Sequence, residues 1–148
     1  MTRVLVTGFE PFGGSPVNPS GRLVEELAAR PPVGVELAAA VLPVAYARAA
    51  AELRAAVHAA DPRLVVCFGQ ADGRAGISVE RFALNLDDAA NVDNEGASSG
   101  SPVEPEGPAA CRSTLPVDEI VAALQAAGIP AAASRDAGGF TLHLRHLD

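Results

Sequence analysis

The sequence predicts an α/β protein: an α/β/α sandwich with helices on both faces of a mostly parallel, twisted open sheet. Apolar runs typical of buried strands recur along the chain, and stretches with helical spacing of apolar residues separate them. This alternation favours a parallel sheet, because parallel strands need a crossover connection between them. The 148 residues are enough for one full hydrophobic core, so we expect a single domain over residues 1–148.

Four apolar runs predict strands in chain order. Val4–Val6 is rich in β-branched residues, and Val35–Val44 is a second run, interrupted by a proline near its end. Leu64–Phe68 is the third run, predicted to be buried, and Ala131–Ser134 is a shorter fourth. Between the last two, Ile77–Ala83 alternates in the way that a half-buried strand does.

Three helices are predicted between these strands. The first begins at Asn18, a preferred N-cap residue, with Pro19 at its first helical position. The second covers Ala45–Ala60, and the third covers Pro116–Ala127 and stops at Gly128. Each helix has one apolar face with which to pack on the sheet.

The composition argues against several classes of function. The net charge of −7 disfavours nucleic acid and anionic membrane surfaces, since both attract basic proteins. No stretch approaches the ~20 apolar residues of a membrane-spanning helix. The two cysteines do not have the spacing of a zinc site, and the first predicted strand follows Met1 closely, with no apolar segment typical of a secretion signal. Both observations favour a cytoplasmic protein with no metal and no cofactor.

A glycine-rich loop follows the third predicted strand. Gly69, Gly73 and Gly76 lie within eight residues there, which indicates a backbone built for close approach to a ligand. Loops at the carboxyl ends of parallel strands are where α/β sheets bind their ligands. Glu80 follows within the alternating segment, where a strand would hold its carboxylate in place. The alternative is a simple turn and a surface pair of Glu80 with Arg81.

Several motifs along the chain are long and unusual in composition. In chain order they are Val6–Phe12, Asn18–Ser20, Gly69–Ala71, Ile77–Arg81, Asn85, Asp87, Asp93–Gly96, Ser113–Pro116 and Ala137–Gly138. By these motifs the sequence resembles the pyroglutamyl peptidase I family, also called pyrrolidone-carboxylate peptidases, up to about residue 140. The resemblance implies a cysteine peptidase that removes N-terminal pyroglutamate from peptides.

The resemblance assigns a substrate pocket to three residues. Phe9 and Phe12 would wall the pyroglutamyl ring, and Gln70 would pair with the lactam amide through its donor and its acceptor. The ligands would be peptides with N-terminal pyroglutamate or a similar small cyclic amide. The alternatives are that both phenylalanines only anchor their loop and that Gln70 is a turn residue.

The resemblance also assigns the catalytic groups. Glu80 matches the carboxylate that orients a histidine, which in turn activates a cysteine. The cysteine belongs four residues after Gly138, where this sequence has Leu142, and Ala90 stands where the family has an arginine. The family's histidine lies in a later segment, beyond a helix; this chain lacks that helix and the family's C-terminal strand. We therefore expect a truncated chain, inactive as a peptidase; the alternative is a non-catalytic module that binds a pyroglutamyl or similar cyclic-amide ligand.

Other polar groups are weaker candidates. Cys67 is predicted to be an inert thiol buried in a strand, and Cys111 is the only alternative nucleophile, which would make the protein an unrelated small hydrolase. The acidic residues Asp87, Asp88, Asp93 and Glu95 do not have the spacing of a calcium loop, so a solvated acidic face is predicted. The residues from Phe140 onward are expected to be poorly held, leaving a sheet edge through which the chain would form homo-oligomers.

Overall fold

The computed structural model describes residues 1–86, 92–98 and 102–134. The described residues form two compact units, one of residues 1–70 with 92–98 and one of residues 71–86 with 102–134. The predictions for Asp87, Asp88, Ala90, Leu142 and the residues from Phe140 onward fall outside the described residues.

The first unit is built on a parallel sheet. Its three strands are ordered β2-β1-β3, and Val6 of the central strand pairs with Ala39 on one side and Val66 on the other. This confirms the predicted mostly parallel α/β sheet. The elements are β1 (Thr2–Phe9), α1 (Pro19–Ala29), β2 (Val35–Leu42), α2 (Tyr46–Ala60) and β3 (Leu64–Cys67).

The two helices of this unit cover opposite faces of the sheet by the handedness rule. The chain moves from β1 out to β2 through α1, then back past β1 to β3 through α2. Right-handed crossovers in opposite directions place their helices on opposite faces. The core accordingly takes Leu5 and Val6 from β1, whose side chains alternate, together with Val24 of α1 and Leu53 and Val57 of α2.

Helix α1 begins as the sequence predicts. Asn18 is its N-cap, and the Asn18 Oδ1 atom accepts hydrogen bonds from the backbone N–H of Ser20 at 3.0 Å and from its hydroxyl at 2.7 Å. The helix lies directly against β1, because a Cβ atom on Gly8 would stand 2.4 Å from the Ser20 carbonyl oxygen. Glycine at position 8 is therefore required by this close approach.

The second unit contains short elements in two small sheets. One sheet pairs its two strands in parallel and the other pairs them antiparallel. The elements are β4 (Ile77–Val79), β5 (Phe82–Leu84), β6 (Ala110–Arg112), α3 (Val117–Ala126) and β7 (Ala131–Ala133), with β4 paired to β7 and β5 to β6.

Two predictions about strands need correction. The single strand predicted over Ile77–Ala83 is two strands, because the chain changes its pairing partner at Glu80 and Arg81. Glu80 therefore directly follows β4 instead of lying within a strand. The predicted burial of the third strand is also wrong: Leu64 and Cys67 are exposed, since β3 pairs only with β1 within the described part of the first unit.

None of the helices in residues 1–86, 92–98 and 102–134 is both long enough and apolar enough to cross a bilayer.

Candidate functional site

The end of β1 and the loop after it carry the two phenylalanines assigned to the pocket. Phe9 is the last residue of β1, and its N–H donates to the Ser20 hydroxyl at 3.0 Å. Phe12 is partly buried and its carbonyl oxygen accepts the N–H of Ser15 at 3.1 Å, which closes a turn through Gly13 and Gly14. Both glycines have positive φ, +62° and +76°, where other residues would be strained. The turn therefore keeps Phe12 near the carboxyl end of β1.

Gln70 lies at the same end of the sheet as this loop, where the carboxyl ends of β1 and β3 meet. Thr7 of β1 pairs with Cys67 of β3, so the carboxyl ends of the two parallel strands adjoin. The chain continues in register beyond that pair, since the N–H of Phe68 donates to the Thr7 carbonyl at 2.8 Å. Gln70 is partly buried two residues further on. The register thus puts Phe9, Phe12 and Gln70 at one edge, the usual ligand edge of a parallel sheet.

Glu80 belongs to the second unit. One carboxylate oxygen, Oε1, accepts from Arg74 Nη1 at 3.4 Å, and the side chain is 31% exposed. The other oxygen, Oε2, is buried and has no hydrogen-bond partner among the described residues. An orienting carboxylate uses an oxygen of this kind as its acceptor. That Glu80 shares one concavity with Phe9, Phe12 and Gln70 stays a prediction.

The two cysteines differ in their surroundings. Cys67, predicted to be buried, is exposed at the end of an edge strand. Its sulfur nevertheless lies against protein atoms, and this desolvation raises the pKa of the Cys67 thiol, with a smaller opposing effect from the neighbouring Thr7. The thiol form is therefore favoured, which agrees with an inert cysteine. Cys111 is partly buried on β6, opposite Ala83.

Asp93 has a role that the sequence did not predict: its buried side chain binds the start of a helix. The prediction of a solvated acidic face is wrong for this residue, which is only 8% exposed. Its Oδ2 atom accepts the N–H of Tyr46 at 2.7 Å, and its Oδ1 atom accepts the N–H groups of Glu95 at 2.9 Å and Ala97 at 2.8 Å. Tyr46 is the first residue of α2, whose own N-cap, Ala45, offers no side-chain acceptor. Asp93 therefore caps α2 from a distant part of the chain.

The titration of Asp93 follows from these contacts. Burial raises the pKa of the Asp93 carboxyl, but the backbone N–H groups that donate to it, with Tyr46 foremost, lower the pKa by more. The net pKa lies below its ordinary value, so the carboxylate is charged at neutral pH. The run Asp93–Gly96 was the only hint of these contacts in the sequence, because an aspartate in a turn often accepts the backbone N–H two residues further along the chain.

Asn94 extends this network to the loop after β1. Its side-chain amide donates to Glu10 Oε1 at 3.2 Å and to the Pro11 carbonyl at 2.9 Å, while its backbone N–H donates to the Val44 carbonyl at 2.9 Å. Among residues 1–86, 92–98 and 102–134 no cluster of His, Cys, Asp or Glu has the arrangement of a metal site. In this part of the first unit, Asp93 and Glu10 each accept backbone N–H groups of the connection from β2 to α2.

Comparisons with known proteins bear on the family. A family model described as pyroglutamyl peptidase matches residues 2–145. A pyrrolidone-carboxylate peptidase of Streptomyces coelicolor is 52% identical over 141 residues, which cover 95% of this chain and 65% of the relative. The corresponding protein of Gloeobacter violaceus is 54% identical over 139 residues, covering 93% of this chain and 68% of the relative.

Solved structures agree with the sequence comparisons. The crystal structure of pyroglutamyl peptidase I from Bacillus amyloliquefaciens superimposes with a TM-score of 0.89 at 40% identity, covering 95% of this chain and 68% of that chain. The 148-residue chain thus spans about two thirds of the length of the relatives that it matches, 65% in the Streptomyces coelicolor protein. On sequence, family model and fold together, the chain belongs to the pyroglutamyl peptidase family.

Proposed function

We propose that this chain binds the N-terminal pyroglutamyl group of peptides and, as a 148-residue polypeptide, does not cleave the bond that follows it. The binding half of the proposal is supported by the register of the first sheet, which brings Phe9, Phe12 and Gln70 to one edge. A small cyclic amide needs apolar walls for its ring and an amide partner for its lactam group, and these three side chains provide both.

The absence of cleavage is proposed from two positions in the sequence. Leu142 stands four residues after Gly138, where the family resemblance places the nucleophilic cysteine, and a leucine side chain offers no nucleophile. Ala90 stands where the family has an arginine. Loss of a triad member costs on the order of 10⁴ in rate, so turnover would fall below detection in an ordinary assay.

The proposal also covers the cellular location and the assembly of the chain. A reducing, cytoplasmic location is supported by Cys67 and Cys111, which are both free thiols. Homo-oligomer formation is supported by β3, which offers an edge within the described part of the first unit.

The binding half is tested by calorimetric titration of the chain with L-pyroglutamyl-L-alanine. L-Prolyl-L-alanine is the matched control ligand, because its ring has the same size but lacks the lactam carbonyl. We expect heat of binding from the first dipeptide alone. Phe12→Ala should weaken it roughly tenfold by removing an apolar wall, whereas Phe82→Ala, a control on β5, should leave it unchanged. Equal binding of both dipeptides would contradict the pocket assignment.

The catalytic half is tested with a chromogenic pyroglutamyl anilide. We expect no release of the chromophore by the purified chain. Cys111 is the remaining candidate nucleophile, so the assay is repeated after thiol alkylation and with Cys111→Ser. Turnover that both treatments abolish would make Cys111 the nucleophile and overturn the proposal; turnover that survives both would place the chemistry on other residues.

A further inference from the structure

Three separate parts of the chain meet at the carboxyl edge of the first sheet: the loop after β1, the connection from β2 to α2, and residues 92–98. We propose that Asn94 and Glu10 are positioning residues for the pyroglutamyl pocket, because together they hold the loop that follows Phe9 and carries Phe12. The inference rests on the proposed function, since it concerns the pocket that the proposal assigns to that loop.

The segment around Asn94 is itself fixed. Asp93 is buried, and its carboxylate binds three backbone N–H groups, one of them at the start of α2. A second closure comes from the backbone, where the N–H of Asp93 donates to the Ala97 carbonyl at 2.9 Å. Asn94 follows Asp93 directly, so its own side chain starts from an anchored position.

Asn94 uses that position to reach both neighbouring parts of the chain. Its backbone N–H binds the Val44 carbonyl at 2.9 Å, and its side-chain amide binds the Pro11 carbonyl at 2.9 Å. Pro11 lies directly before Phe12. The amide also donates to Glu10 Oε1 at 3.2 Å. One side chain therefore holds two consecutive residues of the pocket loop.

Glu10 completes the connection from the other side. Its Oε1 atom accepts the N–H of Val44 at 3.0 Å in addition to the amide of Asn94. Its backbone is tied as well, since its N–H donates to the Leu42 carbonyl at 3.0 Å and its carbonyl accepts from Asn18 Nδ2 at 3.0 Å. Glu10 and Asn94 thus form one clamp, with a single carboxylate oxygen shared by two donors.

The clamp matters for binding because a loop held in its binding conformation needs no ordering when the ligand arrives. If only a fraction of the molecules has the loop in place, the apparent affinity falls by that fraction. Gly13 and Gly14 follow Phe12 with positive φ and no neighbour within 4 Å of an added Cβ, so the turn beyond the loop is open. The clamp adds side-chain contacts to the backbone hydrogen bonds of Glu10 that also hold the loop to the rest of the first unit.

The experiment compares single and double substitutions of the two residues. Asn94→Asp keeps the size of the side chain but removes both amide donors and sets a carboxylate against Glu10, so the clamp should open. Glu10→Gln keeps the oxygen that accepts from Val44 and should have a small effect. In the double variant Glu10→Gln with Asn94→Asp, the neutral glutamine no longer repels the new carboxylate and its oxygen still accepts from Val44, so part of the clamp should be restored.

Two readouts are taken for each variant. The first is amide hydrogen exchange at Val44, whose N–H binds Glu10, with the Phe68 amide as reference because it binds the Thr7 carbonyl and neither clamp residue. The second is the calorimetric affinity for L-pyroglutamyl-L-alanine. For Asn94→Asp we expect roughly tenfold weaker binding and roughly tenfold faster exchange at Val44, with exchange at Phe68 unchanged. The control Gln125→Ala removes an amide that binds the Ala131 carbonyl at 2.8 Å in the second unit, and should change neither readout.

Each outcome decides a different claim. Recovery of both readouts in the double variant supports the clamp, because a general loss of stability would not be reversed by a second substitution. Faster exchange at Val44 with unaltered affinity, or no recovery in the double variant, overturns the positioning role. If the unsubstituted chain fails to bind the dipeptide, the proposed function fails, and the exchange readout alone still decides whether Glu10 and Asn94 hold the loop.

Discussion

The carboxylate of Asp93 caps a helix whose first residue lies 47 positions earlier in the chain. Helix α2 has an alanine as its N-cap, which leaves its first N–H groups without a local side-chain acceptor. Asp93 supplies both the acceptor and a negative charge at the positive end of the helix. Because the acceptor comes from a later loop, the amino end of α2 and the segment 92–98 stabilise each other.

This arrangement predicts a pH dependence of stability. The pKa of Asp93 is lower in the folded chain than the ordinary value of about 4, so its contribution to stability is complete above pH ~4 and is lost as the pH falls through the folded pKa. Asn at position 93 cannot accept with two charged oxygens, so Asp93→Asn should lower the thermal midpoint at pH 7. The difference from the unsubstituted chain should shrink below pH 4 in thermal melts followed by circular dichroism. A difference that is the same at pH 7 and pH 3 would contradict the assigned titration.

At the scale of elements, the contact of α1 with β1 depends on two glycines. A Cβ atom on Gly8 would meet the Ser20 carbonyl oxygen, and a Cβ atom on Gly21 would stand 2.6 Å from the Phe9 carbonyl oxygen. Both obstacles are backbone atoms, which cannot move without displacing the strand or the helix. The loop that carries Phe9 starts at this contact.

Gly8→Ala should therefore lower the free energy of unfolding by about 3 kcal/mol, at the upper end of the usual cost of overpacking. The control is Gly69→Ala, since an added Cβ there meets no atom within 4 Å and the φ angle is not in the left-handed region. That control should change the free energy by less than about 1 kcal/mol. Chemical denaturation measures both. Equal effects of the two substitutions would show that α1 does not pack on β1 as closely as described.

The packing of α2 on the sheet allows a second comparison of stability. Leu53 is 2% exposed in the core of the first unit, whereas Leu23 on α1 is 41% exposed. Leu53→Ala should cost about 2–5 kcal/mol of unfolding free energy through lost burial and the cavity left behind. Leu23→Ala should change it by about 0.5 kcal/mol or less. A similar loss for both in denaturant titrations would argue against the assigned faces of the two helices.

At the scale of the whole molecule, the sequence predicted the structural elements that depend on local patterns of residues. The strands and helices of the first unit follow from apolar periodicity, and the start of α1 follows from Asn18 with Pro19. The break at Glu80 was not predicted, because the alternation of Ile77–Ala83 carries no information about which strands will pair with it. The cap from Asp93 was missed for the same reason: its partner is distant in sequence.

The same distinction, between local patterns and partners distant in sequence, applies to the site residues. Resemblance of motifs selected Phe9, Phe12, Gln70 and Glu80. The structure adds the contact of Glu80 with Arg74 and the register that brings the other three to the carboxyl ends of the strands. Cys67 was predicted to be buried from its apolar neighbours, yet an edge strand exposes it. Burial depends on what packs beside a strand, and a run of apolar residues does not specify that neighbour.

The central claim, binding of a pyroglutamyl group without cleavage, is tested most directly by one NMR measurement. Proton spectra of L-pyroglutamyl-L-alanine are recorded with the purified chain over many hours. We expect saturation transfer from the protein to the lactam ring protons, and no signal of free alanine at any time. Free alanine that accumulates in proportion to the chain, or an intact dipeptide without saturation transfer, would contradict the claim.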